Sequence, residues 1–148
     1  IDLDLAVVGD HEGGEAAVID PLLDGLGDRA VARGFLDRPD YEALLDRADV
    51  VVSAAKGENF GIAVVEAIAA GAWPVLPDAL AYPEIIPVSH HNDCLYGEGG
   101  LGKRLAEVIA HRAAGASAPE GLAEAMAVHA WPVTAERMDH RLDELLRR

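Results

Sequence analysis

With 148 residues, 51% hydrophobic and 26% charged, the chain has the length of one domain and enough apolar material for a core, which excludes intrinsic disorder. Twelve basic against 26 acidic residues leave a net charge of −14, which repels phosphate backbones and anionic lipid; with aromatics at 5%, the segment is a poor candidate for gripping nucleic acid directly. No apolar run approaches the ~20 residues of a membrane helix, no basic leader precedes a cleavage site, and the single Cys94 can form no internal disulfide, so a reducing, cytoplasmic setting without a membrane span is expected.

The first residues, Ile1-Asp2-Leu3-Asp4, enter a strand-like run at once without an initiator methionine, so a fragment of a longer protein is expected. Residues 3–8 form a short apolar run closed by Gly9-Asp10, the pattern of a buried strand and a turn. A helix is predicted over 15–26, ended by Gly25 or Gly27, and a second strand over 30–35, interrupted by Gly34. Asp40 is placed to cap a helix in which Tyr41, Leu44, Leu45 and Ala48 recur at helical spacing. Val50-Val51-Val52 is the strongest strand signal and continuously apolar, as suits a parallel strand covered on both faces. A polar loop, 56–59, leads to a helix over 61–70 stopped by Gly71; Trp73-Pro74-Val75-Leu76 is the next strand and 77–87 a proline-rich loop. Cys94-Leu95-Tyr96 reads as a short last strand, 100–113 as a helix and 114–121 as a connector, before a helical tail with Met138, Leu142 and Leu145 in one stripe. Strands alternating with helices predict an α/β fold, a Rossmann-like parallel sheet flanked by helices, with ligands outside the carboxyl ends of the strands.

The segment 53–71, SAAKGENFGIAVVEAIAAG, carries most of the chemical information. From 60 to 72 every residue except Glu66 is apolar or glycine. An ionised carboxylate on such a helix either lies on its wet edge or finds hydrogen-bond donors, which a ligand's hydroxyls would supply. Glu58 lies eight positions earlier, in the loop before the helix. Gly61 sits near the helix start, where unpaired backbone N–H groups and the positive end of the helix dipole favour an anion such as phosphate. Lys56, one of two lysines in the chain, stands beside it. Anion capture at a helix end with two carboxylates for neutral hydroxyls suits a nucleotide-sugar, the helix end serving the pyrophosphate and the acids the sugar and ribose.

At these residues the sequence resembles a family. Glu58-x7-Glu66, written ENFGIAVVE, preceded by RADVVVSAAKG and followed by AIAAG and PV, resembles the E-x7-E signature of retaining GT-B glycosyltransferases of the family 4 type. The resemblance covers nearly the whole chain and implies that 1–148 is the nucleotide-sugar-binding, C-terminal half of a GT-B fold. The missing partner is then an N-terminal, acceptor-binding domain, and the fragment alone is expected to be inactive. A narrower resemblance, carried also by PVLPDALAYPEIIP and CLYG, is to the tRNA-queuosine α-mannosyltransferase group; Gly57 and Asn59 depart from the His and Phe that group tends to have. It implies transfer of a hexose, with mannose from GDP-mannose as the narrower case. The donor substrate is a GDP- or UDP-linked sugar, and neither cofactor nor metal is expected.

Carried over residue by residue, the resemblance implies that Glu58, the catalytic-site carboxylate, accepts hydrogen bonds from the donor sugar. The backbone N–H groups of Asn59, Phe60, Gly61 and Ile62 hold sugar and diphosphate, Glu66 holds the ribose, and Gly34-Phe35-Leu36 borders the base. Glu84 lies near the donor site, with a loop-surface acid as the alternative. The family's usual Arg and Lys phosphate ligands fall upstream of Ile1, and Lys56 is inferred from its position to stand in for them in part. The alternative function is a non-catalytic nucleotide-sugar-binding or regulatory module; a sugar-nucleotide epimerase half shares the fold but fits the motif spacing less well.

Three other patterns are read structurally. Residues 97–103, GEGGLGK, match G-x4-G-K, but Arg104 stands where Ser or Thr must bind Mg²⁺. Residues 9–14 lack the G-x-G-x-x-G spacing of a dinucleotide loop. His90, His91, Asp93 and Cys94 are too tightly spaced for a tetrahedral metal site without an outside ligand.

Overall fold

The computed structural model describes residues 3–9 and 16–147, and the chain divides into two units, Ile1–Leu44 and Leu45–Arg148. In the first unit, β1 (Leu5–Val8) pairs in parallel with β2 (Ala30–Gly34), from Leu5↔Ala30 to Val8↔Gly34, and Gly9 N–H extends the ladder to the Gly34 carbonyl at 3.0 Å. Parallel neighbours need a crossover. Here it is α1 (Ala16–Leu26), which buries Leu23 completely and runs into a 3-10 turn over Gly27–Arg29. The rest of the 9–14 pattern, and Glu15 of the predicted helix, lie outside the described residues. The helix α2 (Arg38–Leu45) begins three residues earlier than a cap at Asp40 requires. Its cap is Asp37, whose Oδ1 accepts the Asp40 N–H at 3.0 Å. Asp40 thereby stands in the first turn, where its charge suits the helix dipole.

The second unit holds a three-stranded parallel sheet in the order β3 (Val50–Val52), β4 (Trp73–Pro77), β5 (Leu95–Tyr96). The most buried strand is β4 rather than β3, because β4 is central and β3 has only one partner in this sheet; Val52 is exposed. Proline in a central strand normally breaks a ladder. The bonds Trp73 N–H to Asp49 O and Ser53 N–H to Val75 O show that 73 and 75 face β3, so Pro74 faces the β5 side. Pairing with β5 begins only at Leu76↔Leu95, and the missing N–H of Pro74 therefore costs no bond.

Helix α3 (Ile62–Ala69) buries Val64, Val65, Ala67 and Ile68 and leaves 62, 63, 66, 69 and 70 on its outer face. Full burial of a Val or Ile side chain contributes about 1.5–3 kcal/mol, so this face anchors the helix firmly. It ends in a Schellman motif: Ala72 N–H donates to Ala67 O at 3.0 Å and Gly71 N–H to Ile68 O at 2.9 Å, with Gly71 at φ 101. The predicted loop 77–87 is not wholly irregular. It contains α4 (Tyr82–Ile85), whose Pro83 sits in the first turn where proline is tolerated, and whose Tyr82 and Ile85 are buried with Ile86. Cys94 closes α5 (His91–Cys94) rather than opening β5. Helix α6 (Leu101–Ala113) packs Leu101, Leu105 and Val108 into the core, and its Arg112 pairs with Asp49. After α7 (Leu122–Ala125) and a 3-10 turn at Met126–His129, which bury Leu122 and Met126, the chain ends in α8 (Trp131–Leu146). The Met138, Leu142 and Leu145 stripe lies on α8 but is more than half exposed. Among the described residues no helix is long and apolar enough to cross a membrane. The architecture is α/β, with parallel sheets flanked by helices as the alternation of elements predicts.

Candidate functional site

The segment 53–61 joins the carboxyl end of β3 to the start of α3 without regular structure, and Ser53 fixes its first residue. Ser53 N–H donates to Val75 O at 3.1 Å, Ser53 Oγ accepts Ala55 N–H at 3.2 Å and is hydrogen-bonded to the Tyr82 hydroxyl at 2.8 Å, and Ser53 O accepts the Tyr96 hydroxyl at 2.8 Å. Every polar group of Ser53 is thus engaged. A buried tyrosine hydroxyl needs a partner, and two of the chain's three tyrosines find theirs here. Burial, and then the neighbouring Tyr82, push the Tyr96 phenol above its ordinary value, which keeps it a neutral donor.

At the other end, Gly61 precedes α3 at φ 85, a left-handed conformation that strains any residue with a Cβ. Its Cα side is also crowded: an added Cβ would lie 3.2 Å from Tyr82 Cε1 and 3.6 Å from Glu58 Cγ. The Gly61 carbonyl accepts Val64 and Val65 N–H at 3.0 and 3.1 Å. The half-buried Glu58 folds back on its own loop, and its Oε1 accepts the Asn59 and Phe60 amides at 2.9 and 3.2 Å. Those two amides are therefore taken by protein. The amides of Gly61, Ile62 and Ala63 have no acceptor among the described residues and form the open mouth of the helix. The Phe60 ring meets His129 edge-on at a centroid distance of 5.2 Å, a third tether on the loop.

Glu66 lies on the outer face of α3, half-buried, one turn after the 65%-exposed Ile62. Lys56 is exposed at the middle of the loop. Glu84 is exposed on α4, two residues after the buried Tyr82 and beyond a turn in which Leu80 adopts φ 60. Lys56, Glu58, Asn59, Phe60, Gly61 and Ile62 thus form one continuous stretch at the start of α3, and Tyr82 brings the base of α4 against it. Gly34 and Phe35 belong to the first unit, where Gly34 ends β2 at φ 75 and Phe35 is 88% exposed. Ser53, Tyr82, Tyr96 and His129 were not among the sequence candidates. The only local signals for them are a hydroxyl ending an apolar strand and the scarcity of tyrosine.

The other patterns resolve into structure. Residues 97–100 form a tight turn closed by Gly100 N–H to Gly97 O at 2.9 Å, and Arg104 pairs with Glu107 at 3.3 Å. His91 Nε2 faces two carbonyls, Ile86 O at 2.9 Å and Pro83 O at 3.2 Å, so that nitrogen carries the proton and ties α4 to α5. Burial pushes the Cys94 thiol up to about 12, which leaves it inert as a ligand or nucleophile. Among the described residues no group of acidic, His and Cys side chains could hold a metal. Two hollows, of about 350 and 310 Å³, lie beside the amino end of β4, one against Ile68 and the 117–124 segment and one against Trp73, Arg104 and His111. Parallel sheets bind ligands at the opposite, carboxyl ends, where the 53–61 loop lies.

The second unit is thus a parallel α/β unit with a tethered loop and an open helix mouth at its strand ends. Residues 2–114 match the family described as Glycosyl transferases group 1, and the chain belongs to that family as a GT-B glycosyltransferase domain. Over 62 residues, 42% of the chain, it is 44% identical to the tRNA-queuosine alpha-mannosyltransferase of Drosophila melanogaster, a match that spans 16% of that protein's length.

Proposed function

We propose that this chain is the donor-binding part of a retaining glycosyltransferase, in which α3 holds the diphosphate of a nucleotide-sugar and two acids hold its hydroxyls. The observation that carries the reading is the pairing of Glu58 with the open amides of Gly61, Ile62 and Ala63 at one helix start. Glu58 Oε1 is engaged with its own loop, so Oε2 is the acceptor offered to the sugar. The anion falls to the three open amides rather than to those of Asn59 and Phe60. Glu66 takes the ribose, Lys56 and Glu84 flank the donor, and no metal or cofactor takes part. Catalysis is then positioning and stabilisation of the departing diphosphate by backbone dipoles, a charge that grows as the glycosidic bond breaks.

The name of the Drosophila relative favours a mannosyl group, hence GDP-mannose as the first donor to test. A net charge of −14 argues that a tRNA acceptor, if that is the acceptor, is held by another domain. The chain alone then turns over nothing, and the one buried thiol suits a cytoplasmic setting. Titration calorimetry of the chain with GDP, UDP and their sugars tests the reading. Replacing Glu66 by Ala removes charged hydrogen bonds to the ribose and is expected to weaken diphosphate binding about 10- to 100-fold. Glu58→Ala is expected to abolish the preference for the sugar-bearing form. If both variants bind like the parent, the assignment is wrong.

A further inference from the structure

Tyr82 reaches both ends of the 53–61 loop. Its hydroxyl meets Ser53 Oγ at 2.8 Å, and its ring edge, at Cε1, lies 3.2 Å from the place a Gly61 Cβ would take. Between those contacts the loop carries Glu58, whose Cγ and Cδ lie 3.6 and 3.8 Å from the same Gly61 position. Tyr82 itself cannot wander: it is 1% exposed, rooted in α4, and packed in the core with Val75, Ile85 and Ile86. The second tyrosine, Tyr96, reaches Ser53 from β5 and holds the carbonyl while Tyr82 holds the hydroxyl. The loop is rich in small residues and would otherwise be free to shift, and a carboxylate displaced by about an ångström loses a directional hydrogen bond to a ligand hydroxyl.

We propose that Tyr82 is a positioning residue for the donor site: through Ser53 and Gly61 it sets the span of the loop and so the place of the Glu58 carboxylate. Sugar recognition therefore depends on a hydroxyl that never meets the sugar. This rests on the donor-binding role proposed above for Glu58, and the two ideas separate by experiment. Tyr82→Phe keeps the ring and removes only the hydroxyl. Ser53→Ala removes its partner.

Two measurements on the full chain test the proposal. The first needs no ligand. Hydrogen exchange of the Asn59 and Phe60 amides is expected to speed up about fivefold or more in Tyr82→Phe, the worth of one hydrogen bond, while the β4 amides exchange as in the parent. Unchanged loop exchange, or equal acceleration throughout the sheet, would overturn the positioning role whatever the chain binds. The second is calorimetry with GDP and GDP-mannose. Tyr82→Phe and Ser53→Ala are each expected to reduce the preference for the sugar-bearing form about fivefold and to leave GDP affinity alone. The double variant should lose no more than either single, and Tyr82→Phe should do nothing further in a Glu58→Ala background. A parent that prefers GDP-mannose while Tyr82→Phe keeps that preference intact sinks the tyrosine and spares the donor site. A parent that binds neither ligand sinks the donor site, and loop exchange then decides on Tyr82.

Discussion

Two glycine-bearing loops leave the two outer strands of the same sheet and lead into helices. One runs over 53–61 from β3 to α3, the other over 97–100 from β5 to α6. The second has the better-known glycine pattern and the less useful geometry. Its turn closes on itself, the Gly97 carbonyl taking the Gly100 amide, and the cations that follow it, Lys103 and Arg104, serve Glu107. The first is twice as long, is tied by side chains from α4, β5 and the 126–129 turn, and leaves the amides of 61–63 open. Glycine content alone does not leave amides open. Length, and tethering from outside the loop, decide whether the amides stay available.

The largest expected effect comes from Gly61→Ala, which combines a positive φ with the contact to Tyr82 and is expected to cost about 2–3 kcal/mol in denaturant unfolding and to abolish nucleotide binding. In the other loop, Gly100→Ala meets the Gly97 carbonyl at 2.9 Å and is expected to destabilise by about 1–2 kcal/mol while diphosphate affinity stays that of the parent. Should Gly100→Ala remove binding as well, the contrast between the loops is lost. Tyr96→Phe leaves the Ser53 carbonyl without its donor and is expected to lower stability by about 1 kcal/mol.

An alkaline titration sharpens the picture of the core beneath both loops. The Cys94 thiol stands at about 12 in the folded chain against an ordinary 9.0, so from pH 9 towards 12 the unfolded chain has lost a proton that the folded chain keeps. Stability is complete below pH 9 and falls as pH rises through that window, by up to about 1.4 kcal/mol per pH unit. Tyr96, raised in the same direction, adds to the fall. Denaturation of Cys94→Ala at pH 10–11 should show a shallower slope. The smallest effect is expected for Gly97→Ala, whose added Cβ meets nothing within 4 Å, with a change within about 0.5 kcal/mol.

Most of the fold was legible along the chain because its signals are local: apolar runs of strand length, helical stripes, and glycines at helix ends. That Lys56 to Gly61 lead into a helix was legible for the same reason. What escaped depends on distance. Ser53 is 29 residues from Tyr82 and 43 from Tyr96, and no periodicity links them. Asp37 and Asp40 are both chemically able to cap α2, and only the hydrogen bond distinguishes them. The one-turn α4 falls in a stretch dense with proline, where Tyr82 and Ile85 are held by burial rather than by helix propensity.

The most direct test follows the backbone amide resonances of both loops while GDP is added to the full chain. The account predicts the largest shifts at Gly61, Ile62 and Ala63, weakened by Glu66→Ala, with 97–100 unmoved. Shifts concentrated at 97–100, or along the hollow beside Trp73 and Arg104, with 61–63 silent, would contradict it.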